Sequence, residues 1–280
     1  MGGDKRISPD TMIFGVVGYP LSHSLSPVMH NTAFHEKGIN AVYLYFPCKD
    51  VSCVVCGMRS LSIKGLSITI PYKEKICEYL DEIDPLAERI GAVNTLLNDN
   101  GKIIGYNTDA YGAIAALKKE VNELRGKKVL VIGAGGAARA ICFGLKEEGA
   151  TVTVCNRTKE RGEKLARDID AEFIPLSSLK QTDAHIIIQA TSVGMYPDVE
   201  KSPVSGSIFR PGTVVMDVIY NPLETEFLKM AKKAGCRIIT GVDMFVYQGA
   251  KQFELWTKKE APLEVMKKTV LSCLRGKDPC

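Results

Sequence analysis

The sequence predicts an α/β protein of two domains, the second a doubly wound, Rossmann-type parallel sheet. Three observations predict it. An apolar run, 129–132, leads straight into Gly133-x-Gly135-x-x-Ala138 and then into a helical stretch, the context of a dinucleotide-binding turn. Six strand-like segments from there to residue 240 alternate with helical crossovers, as in a doubly wound sheet. Roughly 125 residues precede the turn, enough for a separate domain holding whatever reacts with the nucleotide.

The elements follow in order. Residues 13–17 form an apolar strand. Ser26-Pro27 starts a helix, with a capping hydroxyl and a proline in the first turn, and Gly38 ends it. Residues 42–46 and 66–70 are further strands. Pro71 stops the second of these and opens another short helix. The runs 93–97 and 103–106 flank Asn98-Asp-Asn-Gly101, a hairpin turn. A connecting helix spans 109–124, with apolar residues at Ile114, Leu117, Val121 and Leu124. The second series then runs through a strand at 129–132, a helix to Gly149, a strand at 151–155, a helix at 159–168 and a strand at 172–174. It continues with strands at 184–190 and 214–217, a helix across 224–234 and a strand at 237–240. Late helices at 243–258 and 263–274 leave this domain and pack back on the first. The predicted division is 1–108 with 244–280 as a substrate-binding and catalytic domain, and 109–243 as the nucleotide-binding domain. Two connections between the domains imply a cleft that closes by a hinge.

Composition narrows the function classes. Of 280 residues, 45% are apolar, and 36 basic against 32 acidic residues leave a net charge of +4. That excess is spread along the chain, which is no nucleic-acid footprint but suits anionic ligands. No apolar run reaches the ~20 residues of a membrane span. Residues 1–10 lack an apolar signal core, so a cytoplasmic location is expected. Nine cysteines, an odd number in helical or strand-like segments, point to reduced thiols. Cys53-Val-Val-Cys56 has metal-like spacing but no second pair, and reads as two ordinary residues on a short helix. His23 and His30 read as loop and helix packing, and His35 and His185 as structural. No histidine–carboxylate cluster has metal spacing, so a metal-free enzyme is expected.

In the glycine turn, Gly133 allows the bend, Gly135 lets backbone amides approach a pyrophosphate, and small Ala138 lets helix and strand pack closely. An NAD site would place Asp or Glu about 20 residues past the first glycine. Here the strand at 151–155 ends instead in Asn156-Arg157-Thr158, with Arg161 one turn on. Arginine forks suit a 2′-phosphate, so the residues predict NADP over NAD. The loop Thr191-Ser192-Val193-Gly194-Met195 follows the fourth strand and falls at the switch point of the sheet.

Four segments of the first part are rich in small polar groups near strand ends: 22–27, 69–73, 91–95 and 105–109. Serine hydroxyls beside a helix start suit a carboxylate, and Asn, Thr, Lys and Asp can sort the hydroxyls of a polyol. The residues alone therefore describe an NADP-dependent enzyme with a polar small-molecule site. Their order says more. The chain carries Gly-Tyr-Pro-Leu-Ser-His-Ser-Leu-Ser-Pro-Val-Met-His-Asn (18–31), Ser-Ile-Thr-Ile-Pro-Tyr-Lys (67–73), Gly-Ala-Val-Asn-Thr (91–95) and Asn-Thr-Asp (107–109). It continues with Gly-Ala-Gly-Gly-Ala-Ala-Arg (133–139), Asn-Arg-Thr (156–158), Ile-Tyr-Asn-Pro (219–222) and Tyr-Gln-Gly-Ala (247–250). Over essentially its whole length it resembles the shikimate dehydrogenase family.

The resemblance implies a reversible reduction of 3-dehydroshikimate to shikimate by NADPH, a step of the shikimate pathway of aromatic amino acid and chorismate biosynthesis. It implies Lys73 and Asp109 as the catalytic pair. It implies Ser24, Ser26 and Tyr220 at the substrate carboxylate, and Thr69, Asn94 and Gln248 at the ring hydroxyls. It implies cofactor contacts from Gly133, Ala134, Gly135, Gly136, Ala137, Asn156, Arg157, Thr158, Arg161, Val218 and Gly241. The chemistry is consistent: hydride delivery to a ketone puts charge on its oxygen, which an ammonium can stabilise and protonate while a carboxylate orients it. Two positions depart from the family pattern. Gln189 stands where Asn is common before Ala-Thr, and Thr257-Lys258 replaces a common Thr-Gly. Two alternatives stay open, a quinate/shikimate dehydrogenase of broader specificity and a metabolite-sensing relative without catalysis. The expected partner is the small substrate alone, without nucleic acid or membrane, on a monomer or homodimer.

Overall fold

The structure, a computed structural model, describes residues 7–21, 24–180 and 182–276. The chain divides into two compact units, one formed by residues up to Thr108 and again from Gly249, the other by Asp109–Gln248.

The first unit is a mixed sheet with helices. Its elements are β1 (Met12–Gly18), α1 (Ser26–Glu36), β2 (Ala41–Pro47), α2 (Val54–Ser60), β3 (Gly65–Ile68), β4 (Glu82–Ile83), α3 (Pro85–Ile90), β5 (Thr95–Asp99) and β6 (Lys102–Tyr106). The strand order is β2-β1-β3-β5-β6-β4. Strand β1 runs parallel to both neighbours, while β5 is antiparallel to β3 and β6. The β5–β6 hairpin turns at Asn100 and Gly101, both at positive φ (53° and 96°), as a two-residue hairpin loop requires.

Two sequence expectations need correction here. Ser26 is not the cap of α1 but its first residue. Leu25 holds the N-cap position without a side-chain bond, and the backbone N–H of Ser26 donates to Ser24 Oγ at 3.4 Å. Pro71 opens a turn rather than a helix. Tyr72 N–H closes on Thr69 O (2.9 Å), and the Lys73 carbonyl accepts from Val93 N–H at 2.7 Å instead of serving a helix ladder. The chain coils only later, as a 3-10 segment at Lys75–Tyr79.

The second unit begins one residue into α4 (Thr108–Glu120), which stops four residues short of expectation as Leu124 turns into the core. Then come β7 (Lys128–Ile132), α5 (Gly136–Glu147), β8 (Thr151–Asn156), α6 (Lys159–Asp168), β9 (Glu172–Pro175), β10 (Ile186–Gln189), β11 (Val214–Asp217), α7 (Glu226–Lys233) and β12 (Arg237–Ile239). All six strands are parallel, in the order β12-β11-β10-β7-β8-β9. The chain starts at the centre, walks outward to β9, then returns beside β7 and walks the other way. The reversal between β7 and β10 is the switch point of a doubly wound sheet. Burial on both faces follows from helical crossovers. Val129 and Val131 enter one core with Val152, Val154, Ile186 and Ile188, while Leu130 and Ile132 enter the other with Cys155, Ile187 and Val215.

Helix α8 (Gly241–Thr257) carries the chain back to the first unit, where α9 (Leu263–Leu274) packs on α1 and Trp256 Nε1 donates to Leu96 O at 2.9 Å. No helix among the described residues is long and apolar enough to cross a membrane. Cys48, Cys53, Cys56, Cys77, Cys142, Cys155 and Cys236 carry free thiols. The expectation of reduced thiols fails at Cys273, which is disulfide-bonded. Cys280 lies outside the described residues.

Candidate functional site

In the second unit, the glycine turn joins the end of β7 to α5. Gly133 sits at φ 128°, and a Cβ there would lie 2.8 Å from Ala190 O. This glycine is demanded by the fold. Gly135 differs. It holds the N-cap of α5 at φ −88°, ψ −175°, with no side-chain cap, and a Cβ there would meet no protein atom within 4 Å. It is exposed, next to Ala134 and the first helical residues Gly136 and Ala137. Ala138 is fully buried in the core with Val129 and Val131, so helix and strand pack closely. The uncapped first turn of α5 contains no acidic residue, so its amide donors and dipole suit an anion.

Strand β8 ends at Asn156, whose Nδ2 donates to Thr158 O (2.8 Å) and curls the loop. Arg157, Thr158 and Arg161 are exposed. Among the described residues, no carboxylate pairs with Arg157 or Arg161. A phosphate is the natural partner for two such forks.

Across the switch point, buried Gln189 anchors the loop after β10. Its Oε1 accepts from Thr191 N–H (2.5 Å) and its Nε2 donates to Val193 O (3.0 Å). Thr191 in turn lies against the glycine turn, with Cγ2 3.1 Å from where a Gly133 Cβ would sit. Gln189 thus departs from the family pattern without loosening this strand end. Val218 donates its N–H to Gln189 O at 3.0 Å, and Gly241 is buried at the first residue of α8. Beside Val218 lies a group that sequence reasoning missed. Asp217 is fully buried, accepting from Ile219 N–H (2.9 Å) and Thr225 Oγ1 (2.6 Å). Burial pushes its carboxyl up to about 7 against these two bonds. The only sequence signal was a carboxylate ending an apolar strand.

Asp109, Tyr220 and Gln248 also belong to the second unit. Asp109 is buried in the first turn of α4. Tyr220 stacks on Phe245 at 4.4 Å, and Gln248 Nε2 donates to Phe245 O at 2.8 Å, so both gather at Phe245.

In the first unit, buried Ser26 donates its backbone N–H to Ser24 Oγ, and Tyr45 Oη donates to Ser24 O (2.9 Å). Ser22 and His23 lie outside the described residues. Thr69 and Lys73, both half-buried, share the turn that follows β3. The Lys73–Val93 bond sets that turn beside Asn94, which is buried and whose Oδ1 accepts from Thr108 N–H (2.8 Å) and Thr95 Oγ1 (2.7 Å). His30 is buried and stacked on Tyr43 at 4.6 Å, and burial lowers its imidazole to about 3, so it packs as a neutral ring. His185 Nδ1 accepts from Lys128 N–H at 2.9 Å, a structural bond. Among the described residues, no three His, Cys, Asp or Glu side chains are grouped to hold a metal.

Three family models cover most of the chain. They are the shikimate dehydrogenase substrate binding domain over residues 16–96, shikimate/quinate 5-dehydrogenase over 115–218, and the shikimate 5′-dehydrogenase C-terminal domain over 241–271. The NADP-dependent shikimate dehydrogenase of Geobacillus kaustophilus is 46% identical across 94% of this chain and 99% of its own length. That of Methanosarcina acetivorans is 47% identical with the same coverage. The chain belongs to the shikimate dehydrogenase family. Its fold agrees with a shikimate dehydrogenase solved in complex with NADP+, at a TM-score of 0.90 and 42% identity, covering 96% of this chain and 98% of that one. Membership in the shikimate dehydrogenase family accounts for the two-unit α/β architecture and for the dinucleotide turn near mid-chain.

Proposed function

We propose that this chain is an NADP-dependent shikimate dehydrogenase that reversibly reduces 3-dehydroshikimate to shikimate. Such a step belongs to the shikimate pathway, towards chorismate and the aromatic amino acids. The observation that carries this reading is its likeness to NADP-dependent shikimate dehydrogenases along 94% of its length. The glycine turn fits the cofactor on its own terms, because Gly135 is a glycine that no neighbouring protein atom requires. Gly133, Ala134, Gly135, Gly136 and Ala137 would hold the pyrophosphate. Asn156, Arg157, Thr158 and Arg161 would hold the 2′-phosphate and adenosine ribose, and Val218 and Gly241 the nicotinamide half.

NADPH, when bound, supplies the hydride. The Lys73 ammonium stabilises the charge growing on the substrate oxygen and gives it a proton, and the Asp109 carboxylate orients that ammonium. In the reverse direction the pair accepts the hydroxyl proton. Ser24, Ser26 and Tyr220 bind the ring carboxylate, and Thr69, Asn94 and Gln248 the hydroxyls. In this reading residues 1–108 with 244–280 are the substrate domain and 109–243 the NADP domain, in a cytoplasmic monomer or homodimer. The test is to assay the purified chain with 3-dehydroshikimate and with quinate, each with the NADP and NAD couples. The expected result is the highest kcat/KM with 3-dehydroshikimate and NADPH. Highest efficiency with quinate and NAD would replace the assignment, and no turnover with any pair would leave a sensor.

A further inference from the structure

Helix α4 carries a buried glycine, Gly112, one turn beyond Asp109. It lies where α4 meets α8 within the second unit. A Cβ on Gly112 would stand 2.7 Å from Met244 O, 2.8 Å from Gln248 Cβ and 2.9 Å from Gln248 N. All three atoms belong to the backbone of α8 or are fixed to it, so no change of rotamer could make room. The contact continues along one stripe of α4. Lys119 pairs with Asp243, in the first turn of α8, at 3.8 Å, and buried Ala116 lies between the two points. The two helices therefore run antiparallel, and Asp109 stands on the same stripe. The opposite flank of α4 is backed by α5. A Cβ on Gly144 would lie 3.0 Å from Ile114 Cγ1 and 3.6 Å from Ala110 Cβ. With α5 packed behind it, α4 holds its place against a group inserted at Gly112, and the displacement falls on α8.

The residue displaced would be Gln248. Its side chain is turned onto its own helix, Nε2 donating to Phe245 O at 2.8 Å, so it moves with α8. Asp109 stays with α4. We infer that Gly112 is a positioning residue: by carrying no side chain, it seats the Gln248 backbone against the helix that bears Asp109, and so sets where Gln248 meets a substrate hydroxyl. This rests on the reading of Asp109 as a catalytic residue and of Gln248 as a substrate-binding one. A glycine inside a helix weakens that helix relative to alanine, and the contact with α8 accounts for its presence here.

Steady-state kinetics on Gly112→Ala, Gln248→Ala, the double variant Gly112→Ala/Gln248→Ala and Ile114→Val test this. The added methyl group needs about 0.5–1 Å more room than the contact leaves. A misplacement of about 1 Å can cost about 10²-fold, so Gly112→Ala should lower kcat/KM for 3-dehydroshikimate about tenfold. The affinity for NADPH, read by fluorescence titration, also reports folding and should stay near wild type. In the Gln248→Ala background the same methyl group should cost at most about threefold, because the side chain it misplaces is gone. Ile114→Val thins the packing on the far flank without pushing on α8. It should lower the urea midpoint yet keep wild-type kcat/KM. If Gly112→Ala does not fold, Ala116→Val widens the same interface one turn on and should show the same dependence on Gln248. An equal cost in both backgrounds, or a folded Gly112→Ala with wild-type kinetics, would overturn the inference. Wild-type kinetics in Gln248→Ala would instead overturn the reading of that residue as a substrate contact, and a wild-type chain inactive on 3-dehydroshikimate the proposed function itself, and this inference with either.

Discussion

The two glycines of the nucleotide turn make opposite predictions. Gly133→Ala must place a Cβ at φ 128° and 2.8 Å from the Ala190 carbonyl oxygen, with Thr191 Cγ2 at 3.1 Å. The conformation costs about 1–3 kcal/mol and the overlap a similar amount. That variant should unfold at markedly lower urea and says little about ligands. Gly135→Ala meets neither obstacle, for its φ is −88° and no atom lies within 4 Å. A weaker N-cap costs a few tenths to about 1 kcal/mol, and the stiffer unfolded chain offsets about half of it, so stability should change by less than about 1 kcal/mol. A pyrophosphate approaching the α5 amides would meet the new methyl group. Overpacking of that kind costs about 1–3 kcal/mol, or about 5- to 150-fold in Kd. NADPH fluorescence titration and urea unfolding, run on the same sample, separate the two effects. A Gly135→Ala protein that is stably folded and binds NADPH with wild-type affinity would refute the assignment of this turn to the dinucleotide.

Three further outcomes are expected. Lys73→Ala should fold normally and lose at least about 10²-fold in kcat, the lower range for a general acid–base group, and near-normal turnover would remove this lysine from the chemistry. Arg157→Ala should raise the KM for NADPH by about 10- to 150-fold while leaving that for NADH near its starting value, which a cofactor titration reads directly. Asp217 predicts a pH dependence of stability. Its carboxyl is raised to about 7 by burial, whereas in the unfolded chain it titrates near 4, so folding takes up a proton between the two values. This contribution is fully present below about pH 4 and is lost as the pH rises through 7. Asp217→Asn should therefore lose less stability than wild type between pH 5 and pH 8 in urea midpoints. Parallel slopes would mean that the carboxyl ionises normally in its buried site.

How much of this was legible in the sequence depended on the range of the interactions. Strand β11 and helices α6 and α9 start and stop where apolar periodicity and turn residues place them, because local pattern and tertiary burial agree there. The Rossmann order follows from one local motif together with the rule for parallel crossovers. The first unit was harder to read. Strand β4 has two residues and no pattern to find. Ser-Pro at 26–27 marked the helix start but not its cap, since Leu25 holds the N-cap position without a side-chain bond and the Ser26 N–H donates to Ser24 Oγ. Pro71 is a helix-start residue by type, yet the carbonyl of Lys73 is taken by Val93, twenty positions on, and the segment stays a turn. The same division runs through the site. Arg157 and the glycines stand out by spacing, because consecutive amides and nearby forks are what a phosphate would need. Gln252 gives no local sign, for its bonds to Ser67 and Thr95 exist only where α8 meets β3 and β5 in the fold.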